Sequence, residues 1–266
     1  MNHRLSPELE ELRRTVEQFA HDVVAPKIGD FYERHEFPYE IVREMGRMGL
    51  FGLPFPEEYG GMGGDYQALG VALEELARVD SSVAITLEAG VSLGAMPIHL
   101  FGTEEQKRQW LPKLCSGEIL GAFGLTEPDG GSDAGATRTT ARLDAETDEW
   151  VINGTKCFIT NSGTDVTGLV TVTAVTGRKP DGKPLISAII VPSGTPGFTV
   201  AAPTPRSAGT PPTPASCPSP TSGSRPPTCW ARRAVATPSS CASWTRAGSP
   251  SRRWRRVWRR AASTSR

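Results

Sequence analysis

Residues 121–141, GAFGLTEPDGGSDAGATRTTA, decide the fold because they mark the point where the sequence pattern changes. The run from Glu127 to Ser132 contains proline and two glycines and predicts a tight turn between two strands. Its glycines allow positive φ and close approach to the backbone, and its N–H groups can form an anion-binding nest with the Ser132 hydroxyl. On these residues alone a plain hairpin loop is the favoured interpretation, since no GxGxxG run opens a helix here.

Upstream of this stretch the hydrophobic pattern is helical. Apolar residues recur at gaps of three and four between residues 5 and 23, Ser6 is a good helix cap, and Pro26 is expected to end the first helix. Four further helices are predicted, at residues 38–48, 66–79 and 81–100 and from Thr103 onward, where TEEQ has capping-box spacing. Residues 1–117 are therefore predicted to form a helical domain.

Downstream, the pattern becomes that of a sheet. Residues 149–160, EWVINGTKCFIT, are two β-rich runs around Asn153-Gly154, which predicts a hairpin at that dipeptide. Residues 168–177 and 184–194 predict further strands rich in Val, Ile and Thr. The segment 118–202 is expected to be an antiparallel sheet or small barrel, which makes the fold class α+β.

The last 64 residues differ in composition from the rest of the chain. The 266 residues carry 29 basic and 29 acidic groups, but residues 203–266 contain twelve arginines and no Lys, Asp or Glu. They use nine residue types, without Leu, Ile, Phe, Met or Tyr, so they offer little to a core and are expected to be disordered. Residues 1–202 have a net charge of −12, ordinary for a soluble acidic chain.

Targeting and cysteine patterns favour a cytoplasmic protein. The N-terminus lacks an apolar signal region, and no stretch is expected to reach the apolar length of a membrane span. The five cysteines have no metal or disulfide spacing, so no metal site is expected. Cys115 and Cys157 are interpreted as reduced, structural thiols.

A second motif, INGTKCFITN at residues 152–161, changes the interpretation of the turn. Together with AFGLTEPDGGSD at residues 122–133, it strongly resembles the acyl-CoA dehydrogenase family, flavoenzymes that desaturate acyl-CoA thioesters between Cα and Cβ. Residues 93–118 also resemble the helix pair that precedes the barrel in that family. The resemblance covers residues 1–202 with motif order and spacing intact.

The resemblance implies that the cofactor is FAD and that eight residues of the two motifs bind it. The implied FAD-binding residues are Phe123, Leu125, Thr126, Gly131, Ser132, Phe158, Ile159 and Thr160. The first three would line the isoalloxazine ring, with Thr126 donating to its pyrimidine edge, while Gly131 and Ser132 would approach the pyrophosphate. Phe158 would stack beside the flavin, and the two residues after it would lie at the N5/O4 side.

The resemblance implies an acyl-CoA substrate that contacts Ser132 and Thr86. For Thr86, a position on the surface or in the core without any substrate contact is an equally good interpretation. It also implies an electron-transfer flavoprotein as electron acceptor and a homo-tetramer or dimer for the intact family member. The acyl chain length and branching are not readable from the sequence.

No catalytic residue is assigned in this chain. In the family, a glutamate removes the α-proton while hydride leaves Cβ for flavin N5, and that glutamate comes from the C-terminal helical domain. The sequence has no acidic residue after Asp181, and Glu127 is expected to be a structural part of the turn. We therefore expect a chain without the C-terminal bundle, with weak or absent FAD binding and no turnover.

The arginine-rich tail admits three interpretations. SRRWRRVWRR, residues 251–260, could be a nucleic-acid-binding or membrane-binding arm, but its residues form no clean amphipathic face. The composition is better explained by a GC-rich gene read out of frame, because codons permitted for residues 228–231, read one base earlier, encode the family's Asn-Leu-Leu-Gly. We expect a frameshift product beginning just after residue 202, with no nucleic-acid or membrane partner. A non-catalytic flavin- or acyl-CoA-binding fragment remains the other alternative.

Overall fold

The computed structural model describes residues 5–147 and 149–201, together with the backbone of two short strands further along the chain. Apart from those two strands, the predictions of a disordered, frameshifted tail over residues 203–266 lie outside the described residues.

Seven α-helices form the first half of the described chain. They are α1 Pro7–Phe19, α2 Ala25–Arg34, α3 Tyr39–Arg47, α4 Tyr66–Val79, α5 Ser81–Glu88, α6 Met96–Phe101 and α7 Glu104–Cys115. The Ser6 hydroxyl caps α1 by accepting from the Leu9 N–H, and Asp80 caps α5 through the Val83 N–H. The predicted helical domain is confirmed.

The prediction that Pro26 ends the first helix is wrong. The chain passes from α1 through a π-helical turn, Ala20–Val24, directly into α2, with the Ala25 N–H donating to the Ala20 carbonyl. Proline in an α-helix loses one hydrogen bond, and its ring clashes with the carbonyl four residues earlier. We attribute the continuation to the wider π turn, which displaces that carbonyl and leaves Pro26 in the first turn of α2.

A second π-helical turn, Ala89–Ala95, joins α5 and α6 into one apolar helix over Ser81–Phe101. This helix is long and apolar enough to cross a membrane, so the expectation that no stretch approaches that length is wrong. Most of the helix is buried inside the protein, as the core helix of a folded domain would be. Its Gly94 lies against Gly121 of the first strand, so the helix forms part of the contact between the helices and the sheet.

The helical core extends into the sheet. Phe51 and Phe55, in the turn-rich segment between α3 and α4, are almost completely buried at its centre. The same cluster includes Leu120, Leu169 and Ile190, which lie on strands. The two regions are therefore packed through a shared apolar contact, which fixes the position of the first strand against the helices.

One mixed sheet follows the helices. Its strands are β1 Leu120–Gly124, β2 Thr140–Asp144, β3 Glu149–Asn153, β4 Thr167–Arg178, β5 Pro184–Pro192, β6 Ala234–Ala236 and β7 Cys241–Ala242. The order is β6-β3-β2-β4-β5-β7, with β1 also paired to β4. The predicted strands at residues 168–177 and 184–194 are confirmed as β4 and β5, which form an antiparallel pair.

The prediction of a wholly antiparallel sheet is wrong. β1 pairs with β4 in parallel, and so does Thr140 of β2 with Val175 of β4. Parallel neighbours need a long crossover connection, and the chain from Gly124 to Thr167 supplies one that carries both motifs. Alternation of apolar residues gives the face of a strand but not its direction, so the sequence pattern left this pairing undetermined.

The predicted Asn153-Gly154 hairpin is also wrong. β2 and β3 do form an antiparallel hairpin, but the chain reverses between Asp144 and Glu149, while Asn153 pairs with Thr140 at the far end. Gly154 leaves the sheet, and a Cβ there would collide with the Thr139 hydroxyl. Glycine is therefore required for a close approach between two segments, not for a turn.

Candidate functional site

The turn after β1 has the geometry predicted from its sequence. The Glu127 N–H donates to the Gly130 carbonyl at 2.8 Å, and the Gly130 N–H returns to the Glu127 carbonyl at 3.1 Å. Gly131 then lies against Thr126, where a Cβ would stand 2.8 Å from the threonine hydroxyl oxygen. The glycine run thus folds the backbone back onto Thr126, as a close approach requires.

The second motif runs beside this turn. After β3 the chain leaves the sheet, and the Cys157 N–H donates to the Thr126 carbonyl at 2.7 Å. Thr126 and Phe158 are 32 residues apart in sequence and were predicted to share a site. This hydrogen bond shows that they belong to adjacent segments. Ile159 is buried beside Gly124, and Thr160 is half-buried. The structure brings the two predicted motifs together.

Phe158 is exposed in spite of its size. Its side chain is 59% exposed and its φ is +56°, in the left-handed region that is sterically unfavourable for a residue with a Cβ. Backbone strain of this kind concentrates at ligand-binding positions. An exposed aromatic ring on a strained backbone is a surface suited to stacking against a flat apolar ligand.

Several hydroxyls of the described residues, in and beside the two motifs, have no hydrogen-bond partner within the protein. Within the part of the chain that the structure describes, the hydroxyls of Thr126, Ser132 and Thr160 make no hydrogen bond to another residue. Thr171 of β4, paired in register with the half-buried Phe123, buries a hydroxyl that likewise has no partner among the described residues. Sequence reasoning missed Thr171, because a threonine in a β-rich run has no distinguishing signal.

A buried ion pair lies beneath the two motifs. Lys156 is 1% exposed, and its Nζ donates to Glu127 Oε1 at 2.7 Å, to the Leu125 carbonyl at 3.0 Å and to Thr173 Oγ1 at 3.0 Å. The predicted structural role of Glu127 fits this geometry, because the Thr139 hydroxyl also donates to its carboxylate at 2.7 Å. Sequence reasoning did not single out Lys156, since a lysine is ordinarily a solvated residue.

Burial and hydrogen bonding have opposite effects on the pKa values of Glu127 and Lys156. Burial acts to raise the pKa of Glu127, but hydrogen bonds from Lys156 and from the Thr139 hydroxyl and backbone hold it below the ordinary value. Burial lowers the pKa of Lys156, and the attraction of Glu127 only partly offsets that effect. The charged form of each partner is therefore stabilised by the other.

The low pKa of Glu127 predicts acid lability. A carboxyl whose pKa is lower in the folded than in the unfolded chain contributes stability that is present above the unfolded value, about 4.3, and lost as the pH falls through the folded value. We expect Glu127→Gln to flatten the decline of the unfolding free energy below that pH by up to about 1.4 kcal/mol per pH unit. Urea unfolding at a series of pH values measures this slope.

Glu88→Gln is the control for that experiment. Burial raises the pKa of Glu88, only partly opposed by a hydrogen bond from Ser92, so this carboxyl reduces stability as the pH rises above its unfolded pKa. Its removal should therefore lessen the loss of stability above about pH 4.3 and leave the decline below that pH unchanged. Equal changes in both variants would contradict the assigned role of Glu127.

Thr86 is buried at the contact between the helices and the second motif. Its hydroxyl donates to the Ser82 carbonyl at 2.9 Å, within α5, and its carbonyl accepts from Asn161 Nδ2 at 3.0 Å. Asn161 is fully buried with φ of +64°. In this geometry Thr86 anchors the second motif, and its contact with a substrate stays a prediction.

Two cysteines and a histidine of the described residues pack inside the fold. Cys115 and Cys157 are buried and free, as predicted, and burial raises the pKa of the Cys115 thiol to about 12. No group of three or more His, Cys, Asp or Glu side chains that could hold a metal ion occurs in the described residues. His99 packs its ring edge-on against Phe55 and Tyr59, and burial lowers its pKa. It is a half-buried packing residue.

A helical domain, a mixed sheet and two adjacent motifs around an exposed aromatic ring are the arrangement expected of an acyl-CoA dehydrogenase-type fold. The family model "Acyl-CoA dehydrogenase, N-terminal domain" matches residues 6–118, and "Acyl-CoA dehydrogenase, middle domain" matches residues 122–218. The chain belongs to the acyl-CoA dehydrogenase family, as the sequence motifs predicted.

Known relatives agree with this assignment. The probable acyl-CoA dehydrogenase YngJ of Bacillus subtilis is 49% identical over 203 residues, which are 76% of this chain and 52% of the relative. The solved butyryl-CoA dehydrogenase of Megasphaera elsdenii superposes with a TM-score of 0.78 at 33% identity, covering 91% of this chain and 60% of that one. An acyl-CoA dehydrogenase of Bacillus anthracis, solved in complex with FAD, has a TM-score of 0.71 at 33% identity, covering 91% and 38%. The chain spans about half the length of the curated relatives it matches.

Proposed function

We propose that this chain is the N-terminal and middle part of an FAD-dependent acyl-CoA dehydrogenase. The observation that carries the proposal is the pairing of the two motifs, which sets the exposed Phe158 beside the unpartnered hydroxyls of Thr126 and Thr160. FAD would supply the acceptor for a hydride from the substrate Cβ. The complex with FAD formed by the Bacillus anthracis relative supports this choice of cofactor.

The residues of the site fit a flavin ring. An isoalloxazine has two flat apolar faces and several edge acceptors, and each buried acceptor without a donor costs about 1–3 kcal/mol. Phe158 provides an apolar surface for a face, and Thr126 and Thr160 provide hydroxyl donors. Leu125 and Phe123, both half-buried on the same segment, would complete the apolar lining.

The glycine turn fits a phosphate group. Gly131 permits close approach, and the backbone N–H groups of Gly131 and Ser132 donate to no described residue. With the Ser132 hydroxyl they form a set of donors suited to the FAD pyrophosphate. We assign Gly131 and Ser132 to cofactor binding on this basis. We assign Ile159 to cofactor binding as well, as part of the apolar lining beside the flavin ring.

The substrate we propose is an acyl-CoA thioester, contacted by Ser132 and bordered by the helix that carries Thr86. We further propose an electron-transfer flavoprotein as acceptor, a dimeric or tetrameric assembly for the whole protein, and a cytoplasmic location. The free thiols of Cys115 and Cys157 support a reducing compartment. Residues 1–117 and 118–202 are the proposed domains.

We propose that this chain contains no catalytic base. No acidic residue follows Asp181, and Glu127 is engaged by Lys156 and Thr139. A carboxylate that accepts this many internal hydrogen bonds is not free to remove a substrate proton. This observation favours a non-catalytic flavin- or acyl-CoA-binding fragment as the second candidate function.

The proposal predicts flavin affinity without turnover. Titration of FAD into the purified chain should give weak, saturable quenching of flavin fluorescence, and Phe158→Ala should reduce the affinity. Addition of acyl-CoA thioesters of several chain lengths should leave the flavin band near ~450 nm unbleached. Bleaching by an acyl-CoA would contradict the absence of a base, whereas no FAD binding at any concentration would remove the flavin role from this chain.

A further inference from the structure

We propose that Lys156 is a positioning residue for the flavin site, which holds the two motifs in one fixed relative geometry without touching the cofactor. This inference rests on the proposed function, because it concerns the same two segments. Lys156 lies two residues before Phe158, and one of its acceptors, the Leu125 carbonyl, belongs to the residue before Thr126. The side chain therefore ties together the segment that carries Phe158 and the segment that carries Thr126.

The geometry at the ammonium is specific. An ammonium group has three N–H donors, and Nζ lies 2.7–3.0 Å from Glu127 Oε1, the Leu125 carbonyl and Thr173 Oγ1. Those acceptors belong to the turn, to the residue that follows β1 and to β4. One buried charge thus joins the second motif to three other segments, and moving any of them disturbs the others.

The carboxylate extends the same network. Glu127 Oε2 accepts the Arg138 N–H at 2.7 Å, and Oε1 accepts the Thr139 N–H at 2.9 Å. The far end of the glycine turn is thereby fixed where it enters β2. The Glu127 carboxylate thus joins the two ends of the loop that presents Gly131 and Ser132, and Lys156 holds that carboxylate in place. The ion pair therefore acts on the proposed phosphate-binding donors as well as on the ring-lining residues.

Stability alone does not explain the pair. Replacing a buried ion pair by uncharged groups of similar volume is often neutral or stabilising, while removing one partner leaves an uncompensated charge. If the pair has a positioning role, stability and motif mobility should respond differently to its replacement, because binding groups must be held within about 0.5 Å of their productive positions. An uncharged pair should restore much of the stability and still leave both motifs more mobile.

The test compares Lys156→Met, Glu127→Gln and the double variant with the parent chain. Urea unfolding measures stability, and hydrogen exchange by mass spectrometry measures the protection of residues 123–132 and 156–161. Fluorescence quenching measures FAD affinity. The matched control is Glu75→Gln, which changes a buried carboxylate that pairs with Arg13 and Arg78 in the helical domain.

We expect Lys156→Met to unfold at a clearly lower urea concentration. The double variant should recover much of that loss, yet exchange faster than the parent in both segments and bind FAD roughly tenfold more weakly. That loss is of the order seen when groups that support metal ligands are removed. Glu75→Gln should lose stability without faster exchange in these segments and without a change in FAD affinity.

Parent-like exchange in the double variant would overturn the positioning role, as would equal effects of Glu75→Gln on both segments. If the parent chain binds no FAD, hydrogen exchange still decides whether Lys156 fixes the two motifs, and only their assignment to flavin fails. If FAD binds and the double variant binds it equally well, the proposed function stands and the role of Lys156 does not.

Discussion

Phe51→Ala is expected to lower the free energy of unfolding by about 3–5 kcal/mol. Phe51 is 1% exposed, and its ring packs against Gly90 in the second π-helical turn and against Gly117, which precedes β1. Removal of the ring would leave a cavity between the long apolar helix and the junction with the sheet. Gly90 and Gly117 carry no side chain that could move to fill it from those two sides.

The matched control is Phe158→Ala, the same chemical change at a position that is 59% exposed. Because little apolar surface is buried there, its unfolding free energy should stay within about 0.5 kcal/mol of the parent value. Urea unfolding with an unchanged m-value measures both variants. A large loss for Phe158→Ala would mean that the ring packs inside the protein and is not available to stack on a ligand.

Asn161→Ala is expected to lower the free energy of unfolding by about 1.5–2.5 kcal/mol. The variant removes the hydrogen bond from Nδ2 to the Thr86 carbonyl, which still accepts the Ala89 N–H, so the loss of this one buried hydrogen bond costs about 0.5–1.5 kcal/mol. It also puts alanine at φ of +64°, a conformation that asparagine tolerates better and that costs an ordinary residue about 1 kcal/mol. Both effects act at a fully buried position, so solvent cannot compensate for either.

Asn161→Gly separates the two contributions. Glycine accepts the left-handed backbone but supplies no donor, so this variant should be more stable than Asn161→Ala by about 1 kcal/mol while remaining below the parent. Both variants should also weaken FAD binding, since Asn161 ties the segment of Phe158 to α5. Equal stability of the alanine and glycine variants in urea would show that backbone strain contributes nothing here.

Local sequence determined much of the helical domain. The TEEQ run forms the predicted capping box, with the Thr103 N–H donating to Gln106 Oε1 at 2.9 Å and the Gln106 N–H donating to Thr103 Oγ1 at 3.2 Å. The helix predicted at residues 66–79 is α4. The Glu127–Gly130 turn forms as predicted as well. In each case the interactions that form the structure join residues at most four positions apart. The local sequence is therefore enough to predict it.

Two local signals were overridden by their surroundings. Pro26 did not end a helix because the π-helical turn before it removes the clash, and the register of that turn depends on how α1 and α2 pack on the helical core. Asn153-Gly154 did not form a turn because Thr139 and Thr140 already occupy the places beside it. The local tendency to end a helix or to form a turn is overridden when the burial and pairing of a neighbouring segment contribute a larger free energy.

The sequence by itself determined that the chain has helices followed by strands and where most of them lie, and it predicted that the two motifs belong together. Only the tertiary structure decided that β1 and β4 run parallel, that Phe158 is exposed while Ile159 is buried, and that Lys156 and Glu127 meet. These features depend on pairs of residues about 30 to 50 positions apart. Their contacts form only when several segments are packed at once, so no local pattern contains them.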